Sequence, residues 1–371
     1  MKNILVCCPV YSPHAGGGGQ YFPLLVSQLL SFDMTNKIVV LTEYHPNEKF
    51  YTFENNTHVY RLLPQRDTKV DKTKIYSIIS FFVTYAMFYL LMPALMMKYK
   101  VNIIHYTRYL RIPFYLLMAT LKNIFKVKII LDMRTTVESD ECITSLVGYS
   151  SMISNSMGVF NQMSLLQVPN NKNFFVPNPI KFPERFKASE AASIIHHLGI
   201  DDDMPYLLFV GQLLERKSII EVIDAFNIFV KKYPDFHLVL VGRNMVGELI
   251  EEKINKNKNI IHIKPVPREK VVALMQLAEM IVQPSRVEGI PRVSLEALSL
   301  GKKVLLPPCV PEFVSKNEIF SIKHVTTSEI VNAMFRIYET NDVPKYDLSV
   351  HNPSESLKVL HDVYIKTLSS A

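Results

Sequence analysis

Pro284-Ser285-Arg286-Val287-Glu288-Gly289-Ile290-Pro291-Arg292-Val293-Ser294-Leu295-Glu296-Ala297-Leu298, closed by Gly301, is the stretch from which this 371-residue chain is read. The apolar run 280–283 before it has strand length, and Pro291 suits the first residue of a helix, where its missing amide is not needed. Glu288 then falls in the loop and Glu296 inside the helix. The first-turn amides around Arg292 to Ser294 carry a partial positive charge suited to a diphosphate. A carboxylate on each side can accept hydrogen bonds from sugar and ribose hydroxyls. Outside such a frame, two glutamates at this spacing amount to a solvated charge pair.

Outward from this stretch, strand-like runs stand at 206–210, 237–241, 260–263 and 303–306, with helical spacing at 219–230. Earlier in the chain, apolar runs at 4–10, 38–42, 59–63, 101–106, 127–133, 152–155 and 174–176 alternate with helical patterns at 20–31, 74–97 and 113–125. Continuous apolar strands separated by helices argue parallel sheets covered on both faces. Pro177, Pro179 and Pro183 and a polar stretch up to Pro205 interrupt the alternation. The expected fold is α/β, with two Rossmann-like domains whose parallel sheets face a central cleft. Residues 1–183 form the first, 184–204 the linker and 205–350 the second, and a last helix within 354–371 returns to the first.

Apolar residues make up 48% and charged residues 20%, which suits a folded chain and excludes a disordered one. The formal charge of +7 comes with no nucleic-acid motif, so phosphate-bearing substrates or anionic lipid are the expected partners. Cys7, Cys8, Cys142 and Cys309 lack metal-ligand spacing and read as reduced thiols. The start of the chain has no secretory-signal pattern. Residues 75–97 hold no charged side chain and lie between Lys72 and Lys74 on one side and Lys98 and Lys100 on the other. A membrane span here would split the first sheet, which leaves two readings level: a buried helix, or one lying at a membrane surface.

The segment 284–301 resembles the E-x7-E motif of glycosyltransferase family 4, and the likeness runs on through Lys302, Lys303 and Val304. It implies a GT-B fold in which Glu288 touches the donor sugar and Glu296 the ribose, with Gly289, Ile290, Pro291, Arg292 and Val293 around the diphosphate. Phe209-Val210-Gly211-Gln212-Leu213-Leu214-Glu215-Arg216-Lys217-Ser218 resembles the family's G-R-x4-K-G segment. By that likeness Gly211, Gln212, Arg216 and Lys217 line the donor, with Lys217 on the leaving diphosphate. Gln212 stands where the family has Arg and Ser218 where it has Gly, which takes one cation from the leaving-group site; two readings stand, that the change costs activity or that neighbouring Arg216 covers it. Gly242 matches the family's L-V-G turn and by that likeness also lines the donor, while Val176-Pro177-Asn178-Pro179 matches its hinge segment.

In the first domain Gly16, Gly17, Gly18 and Gly19 open a helix. They resemble the family's P-x-x-G-G loop on the acceptor side and are not a dinucleotide fingerprint, because Tyr21 stands where a third glycine belongs. His105 lies in an I-I-H-like segment, where a structural partner and a substrate contact are equally open readings. Leu131-Asp132-Met133-Arg134 resembles a branch of the family with D-x-R. Arg134 is then a fixed cation that cannot serve as a base. The likeness is dense from 206 to 306, thinner before Pro183 and absent around 47–72.

The resemblance implies a retaining, metal-independent transferase that needs no cofactor. It takes a nucleotide-sugar donor and a glycan or lipid-linked acceptor, as in bacterial lipopolysaccharide, capsule or exopolysaccharide synthesis. Glu288, Lys217, Arg134 and His105 are its catalytic set. The expected location is the cytoplasm, peripheral on the inner membrane face if 75–97 meets lipid. Two alternatives stand beside it: a sugar-nucleotide epimerase or hydrolase of the same fold, and a degenerate subunit that binds a partner.

Overall fold

The computed structural model describes residues 1–11, 17–44, 48–63, 74–107, 112–136, 148–201 and 203–369. Cys142, Lys72 and Gly16 lie outside them. The chain divides into two compact units, Met1–Ile180 with Ser349–Ala371, and Lys181–Leu348.

The first unit is built on an eight-stranded sheet. Its strands in chain order are β1 (Lys2–Cys7), β2 (Thr35–Glu43), β3 (Tyr51–Glu54), β4 (Thr57–Leu63), β5 (Ile103–Thr107), β6 (Lys128–Met133), β7 (Ser151–Ser154) and β8 (Asn173–Phe175). The spatial order is β3-β4-β2-β1-β5-β6-β7-β8, parallel throughout except for β3, which runs antiparallel to β4. Alternation along each strand sorts its side chains between the faces. Leu5, Val39, Ile104, Ile129 and Leu131 pack under the helices Lys74–Tyr99, Ile112–Phe125 and Met157–Leu165. Ile4, Val6, Ile38, Val40 and Ile130 pack against Gly17–Leu30 and Pro353–Ser369 on the other face. Both faces are therefore covered, which is why these strands read as unbroken apolar runs.

The edge strand β3 was not expected. Asn55 and Asn56 turn the chain with φ of +47° and +58°, the left-handed pair that closes a two-residue hairpin. Asparagine tolerates that region where most residues resist it.

The helix Lys74–Tyr99 satisfies neither reading of 75–97 in full. Phe88, Met92, Leu95 and Met96 are buried on the sheet, while Phe82, Leu90 and Met97 are 65%, 72% and 63% exposed. Among the described residues, no helix is long and apolar enough to cross a membrane.

The second unit holds β9 (Tyr206–Val210), β10 (His237–Val241), β11 (Ile260–Ile263), β12 (Met280–Val282) and β13 (Lys303–Leu305), all parallel, in the order β11-β10-β9-β12-β13. Residues 184–204, expected as a connection, contain the helix Ala188–His196, whose Ala191 and Ile195 are buried. In each unit the strand order reverses once, between β1 and β5 in the first and between β9 and β12 in the second. The crevice outside the carboxyl ends of such a reversal is where open α/β sheets bind ligands.

Candidate functional site

In the second unit the reversal point joins the loop after β9, which carries Gly211 to Ser218, to the loop after β12, which carries Ser285 to Pro291. The two loops are tied directly, since the Arg286 amide donates to the Arg216 carbonyl at 2.9 Å. Lys217 sits in a 3-10 turn, Glu215–Lys217, and its Nζ lies 2.9 Å from Glu288 Oε1. Arg216 is 3.8 Å from the same oxygen and donates to the Val287 carbonyl at 3.2 Å. Both partners of the Lys217–Glu288 pair are largely screened, with side chains 14% and 12% exposed. A lysine and an arginine of one loop thus meet a glutamate of the other at one place. Gln212 is exposed.

The helix of the opening stretch runs Arg292–Ser299, with Pro291 as its N-cap and not its first residue. Its first intrahelical amide is that of Leu295, bonded to the Pro291 carbonyl at 3.3 Å. The preceding amides of the turn are those a helix leaves for a ligand or water. Glu296 is buried, 3.0 Å from Arg268 Nη2 and 3.6 Å from Arg292 Nη2. Gly289, Ile290 and Pro291 are buried and Val293 is half-buried. Ser285 Oγ and Ser294 Oγ are buried with no hydrogen-bond partner among the described residues. Buried hydroxyls are seldom left unpaired, so these two, one in the Glu288 loop and one in the first turn of the helix after it, suit a polar ligand. Cys309 adjoins the cluster, its Sγ 3.4 Å from the Ser285 carbonyl; burial and the Glu288 charge push its thiol up to about 11, out of nucleophile range.

Gly242 packs against the loop after β9. A β-carbon there would lie 1.9 Å from the Gly211 carbonyl oxygen, so the loops after β9 and β10 touch through it. The Gly211 amide in turn donates to the Val241 carbonyl at 2.9 Å. Ser218, in the place of the expected glycine, is buried at φ +60°, which explains the preference for glycine at that position.

In the first unit, Arg134 follows β6 at its carboxyl end. Its guanidinium carbon lies 3.5 Å from the centre of the Tyr21 ring, and Nη1 is 3.5 Å from Asp132 Oδ1. Tyr21 donates its hydroxyl to Asp132 Oδ2 at 2.9 Å. His105 is fully buried, with Nδ1 2.7 Å from the Tyr364 hydroxyl and Nε2 3.4 Å from Asp132 Oδ2. Both ring nitrogens are thus engaged, one by the Tyr364 hydroxyl and one by the Asp132 carboxylate. His105 has no exposed surface, and its ring lies between Tyr364 and Asp132. Burial pushes the Asp132 carboxyl up, but Arg134, His105 and Tyr21 outweigh it and hold it below the usual carboxylate range. The outcome is one fixed cation, 18% exposed, at the carboxyl edge of the sheet. Gly17, Gly18 and Gly19 begin the helix Gly17–Leu30, which also carries Tyr21.

Sequence reasoning did not assign roles to Tyr21, Tyr364, Arg268 or Arg286. Tyr364 is 259 residues from its partner His105, and no local pattern reports such a contact. Arg286 bonds Glu221 at 2.7 Å and Ser218 Oγ at 3.2 Å, which fixes the loop under Lys217.

Residues 191–340 match the family model of glycosyl transferases group 1, a stretch that contains Lys217, Glu288 and Glu296. An uncharacterized glycosyltransferase of Methanocaldococcus jannaschii is 32% identical over 108 residues, 28% of this chain and 29% of that protein. The capsular polysaccharide biosynthesis glycosyltransferase CapM of Staphylococcus aureus is 24% identical over 173 residues, 44% of this chain and 43% of that one. The chain spans about three tenths of the length of the first relatives it matches, 29% and 30%. Among solved structures, the α,α-trehalose 6-phosphate synthase of Burkholderia multivorans superposes with a TM-score of 0.69 at 11% identity, over 99% of this chain and 98% of that one. At that identity the likeness shows the fold, which is GT-B-like.

Proposed function

We propose that this chain is a retaining glycosyltransferase of family 4, moving a sugar from a nucleotide-sugar donor to a glycan or lipid-linked acceptor without a metal ion. The observation that carries the reading is the Lys217–Glu288 pair, 2.9 Å apart at the reversal point of the second sheet and inside the matched region. A donor exchanges this one pairing for two, its diphosphate taking Lys217 and its sugar hydroxyls taking Glu288. Lys217, Arg216 and the first-turn amides at Arg292 then stabilise the charge that develops on the leaving diphosphate, the part a metal plays elsewhere. Glu296, braced by Arg268, accepts from the ribose. Front-face attack, with the leaving phosphate taking the acceptor proton, gives retention without a protein base.

Arg134 holds the acceptor end. The outward apolar residues Phe82, Leu90 and Met97, with Lys98 and Lys100 after them, suit an acceptor embedded in an anionic membrane face, which makes this a peripheral enzyme of the cytoplasmic side. Synthesis of a bacterial surface polysaccharide fits such an acceptor, and CapM is named for a process of that kind.

The test is thermal stabilisation by a panel of UDP-, GDP-, ADP- and CMP-sugars, comparing the natural chain with Glu296→Ala. A donor at a hundredfold its Kd adds roughly 2.7 kcal/mol. The shift should appear with one nucleotide class and shrink in the variant, and NMR of the product should show the donor's anomeric configuration kept. A folded chain that no donor stabilises refutes the transferase reading, and an inverted product refutes retention.

A further inference from the structure

The edge of the first sheet opposite the proposed acceptor site carries a second charged constellation. A cavity of about 110 Å³ opens at the amino ends of β6, β7 and β8, lined by Lys122, Lys128, Lys172, Lys366, Ser150 and Phe174 among others. The four lysines come from the helix Ile112–Phe125, the start of β6, the turn before β8 and the helix Pro353–Ser369. Only the tertiary fold gathers them.

Like charges at one cavity repel, and a chain folding around them loses stability unless an anion offsets the repulsion. Among the described residues, Lys122, Lys172 and Lys366 make no ion pair with a carboxylate. Lys172 and Lys366 instead rest over the rings of Tyr149 and Phe174, at 5.8 and 5.6 Å. Those contacts hold the ammonium groups in place without neutralising them. Burial, and then Lys172 and Lys128, make protonation of Lys122 harder than usual, as expected where positive groups converge. Ser150 Oγ accepts the Ile129 amide at 3.1 Å and keeps its own proton for a ligand oxygen. The volume is several times what one water needs and suits a single tetrahedral oxyanion.

We infer that this cavity is a binding site for a phosphate group, separate from the nucleotide-sugar site and at the far edge of the sheet from Arg134. Two sources share this chemistry, free phosphate or diphosphate and the headgroup of an anionic phospholipid. Lys122, Lys172 and Lys366 supply the charge, and Ser150 a hydrogen bond.

The experiment titrates the full chain with inorganic phosphate and with diphosphate by calorimetry, and separately with phosphatidylglycerol and phosphatidylcholine vesicles by co-sedimentation. The variants are Lys172→Gln with Lys366→Gln, and Lys172→Arg as the charge-conserving control. Each lysine removed should weaken binding roughly tenfold or more, the arginine should retain it, and added salt should weaken it. Calorimetric binding identifies the free anion. Binding to phosphatidylglycerol vesicles alone, sensitive to the same variants, identifies the headgroup. A melting measurement guards against misfolding: in buffer without phosphate the double variant should melt at or above the natural chain, because a repulsion has been removed, and phosphate should reverse that order. Binding of neither probe, or binding unchanged in the double variant, overturns the assignment.

Discussion

A β-carbon on Gly242 would lie 1.9 Å from the Gly211 carbonyl oxygen, so the loop that presents Lys217 rests directly on the end of β10. The interfering atom is backbone and has no rotamer through which to yield. Gly242→Ala should therefore push the β9 loop outward, costing about 1–3 kcal/mol as overpacking does. Denaturant unfolding reads the stability. Donor affinity should fall as well, because Lys217 moves with its loop. A variant of natural stability and natural donor binding would show that the two loops part freely.

Removal of one preorganised charge from the donor cluster should be felt mainly in turnover. Lys217→Ala is expected to lower kcat about 10²–10³-fold, the usual effect of losing one transition-state donor. Arg216→Ala should cost much less, since Arg216 lies 3.8 Å from Glu288 and its side chain is 44% exposed. Steady-state kinetics on both variants, with folding verified by circular dichroism, check the order. Equal losses would mean that Arg216 has taken over the role of the arginine that Gln212 replaces.

Ser218 offers a test of backbone strain free of chemistry. At φ +60° an L-residue carries about 1–2 kcal/mol of cost that glycine escapes. Its hydroxyl accepts from Arg286 Nη1 at 3.2 Å, and both Ser218→Gly and Ser218→Ala lose that bond. The difference between the two variants isolates the backbone. Glycine should be the more stable by about 1–2 kcal/mol, the reverse of its standing in a helix interior. Thermal melts of the pair decide it.

The parts of this molecule that sequence made legible are those with local periodicity. The parallel strands of the first unit show as apolar runs because both faces of their sheet are covered, and the loop–helix passage around Glu288 and Pro291 is a contiguous motif. The hairpin at Asn55 and Asn56 had a signal, two turn-forming residues between strand-like stretches, but without the glycine that usually marks such turns. His105 was ambiguous for a different reason. Whether a histidine meets solvent or a buried tyrosine depends on Tyr364, and that contact exists only after the last helix has packed in the first unit. The lysines of the phosphate cavity are likewise scattered from 122 to 366, each an ordinary surface lysine in its own neighbourhood.

The network around Asp132 makes a pH-dependent prediction with a definite sign. Its carboxyl titrates below the usual range in the folded chain because Arg134, His105 and Tyr21 favour the charged form over the cost of burial. A depressed folded value adds stability that is fully present above the unfolded value and is lost as pH falls through the folded one. Asp132→Asn should therefore be less stable than the natural chain at neutral pH, by about 3–5 kcal/mol for a broken buried ion pair. The gap should narrow as both are acidified below the normal carboxylate range. Arg134 loses its anchor in that variant, so acceptor KM should rise while donor binding at the nucleotide site proposed for the second unit stays unchanged. Denaturant midpoints from neutral to acid pH read the first effect, and acceptor titration at saturating donor reads the second. A stability gap that does not change with pH would mean that Asp132 titrates alike in the folded and the unfolded chain, and one that widens on acidification would mean that it is neutral in the folded chain.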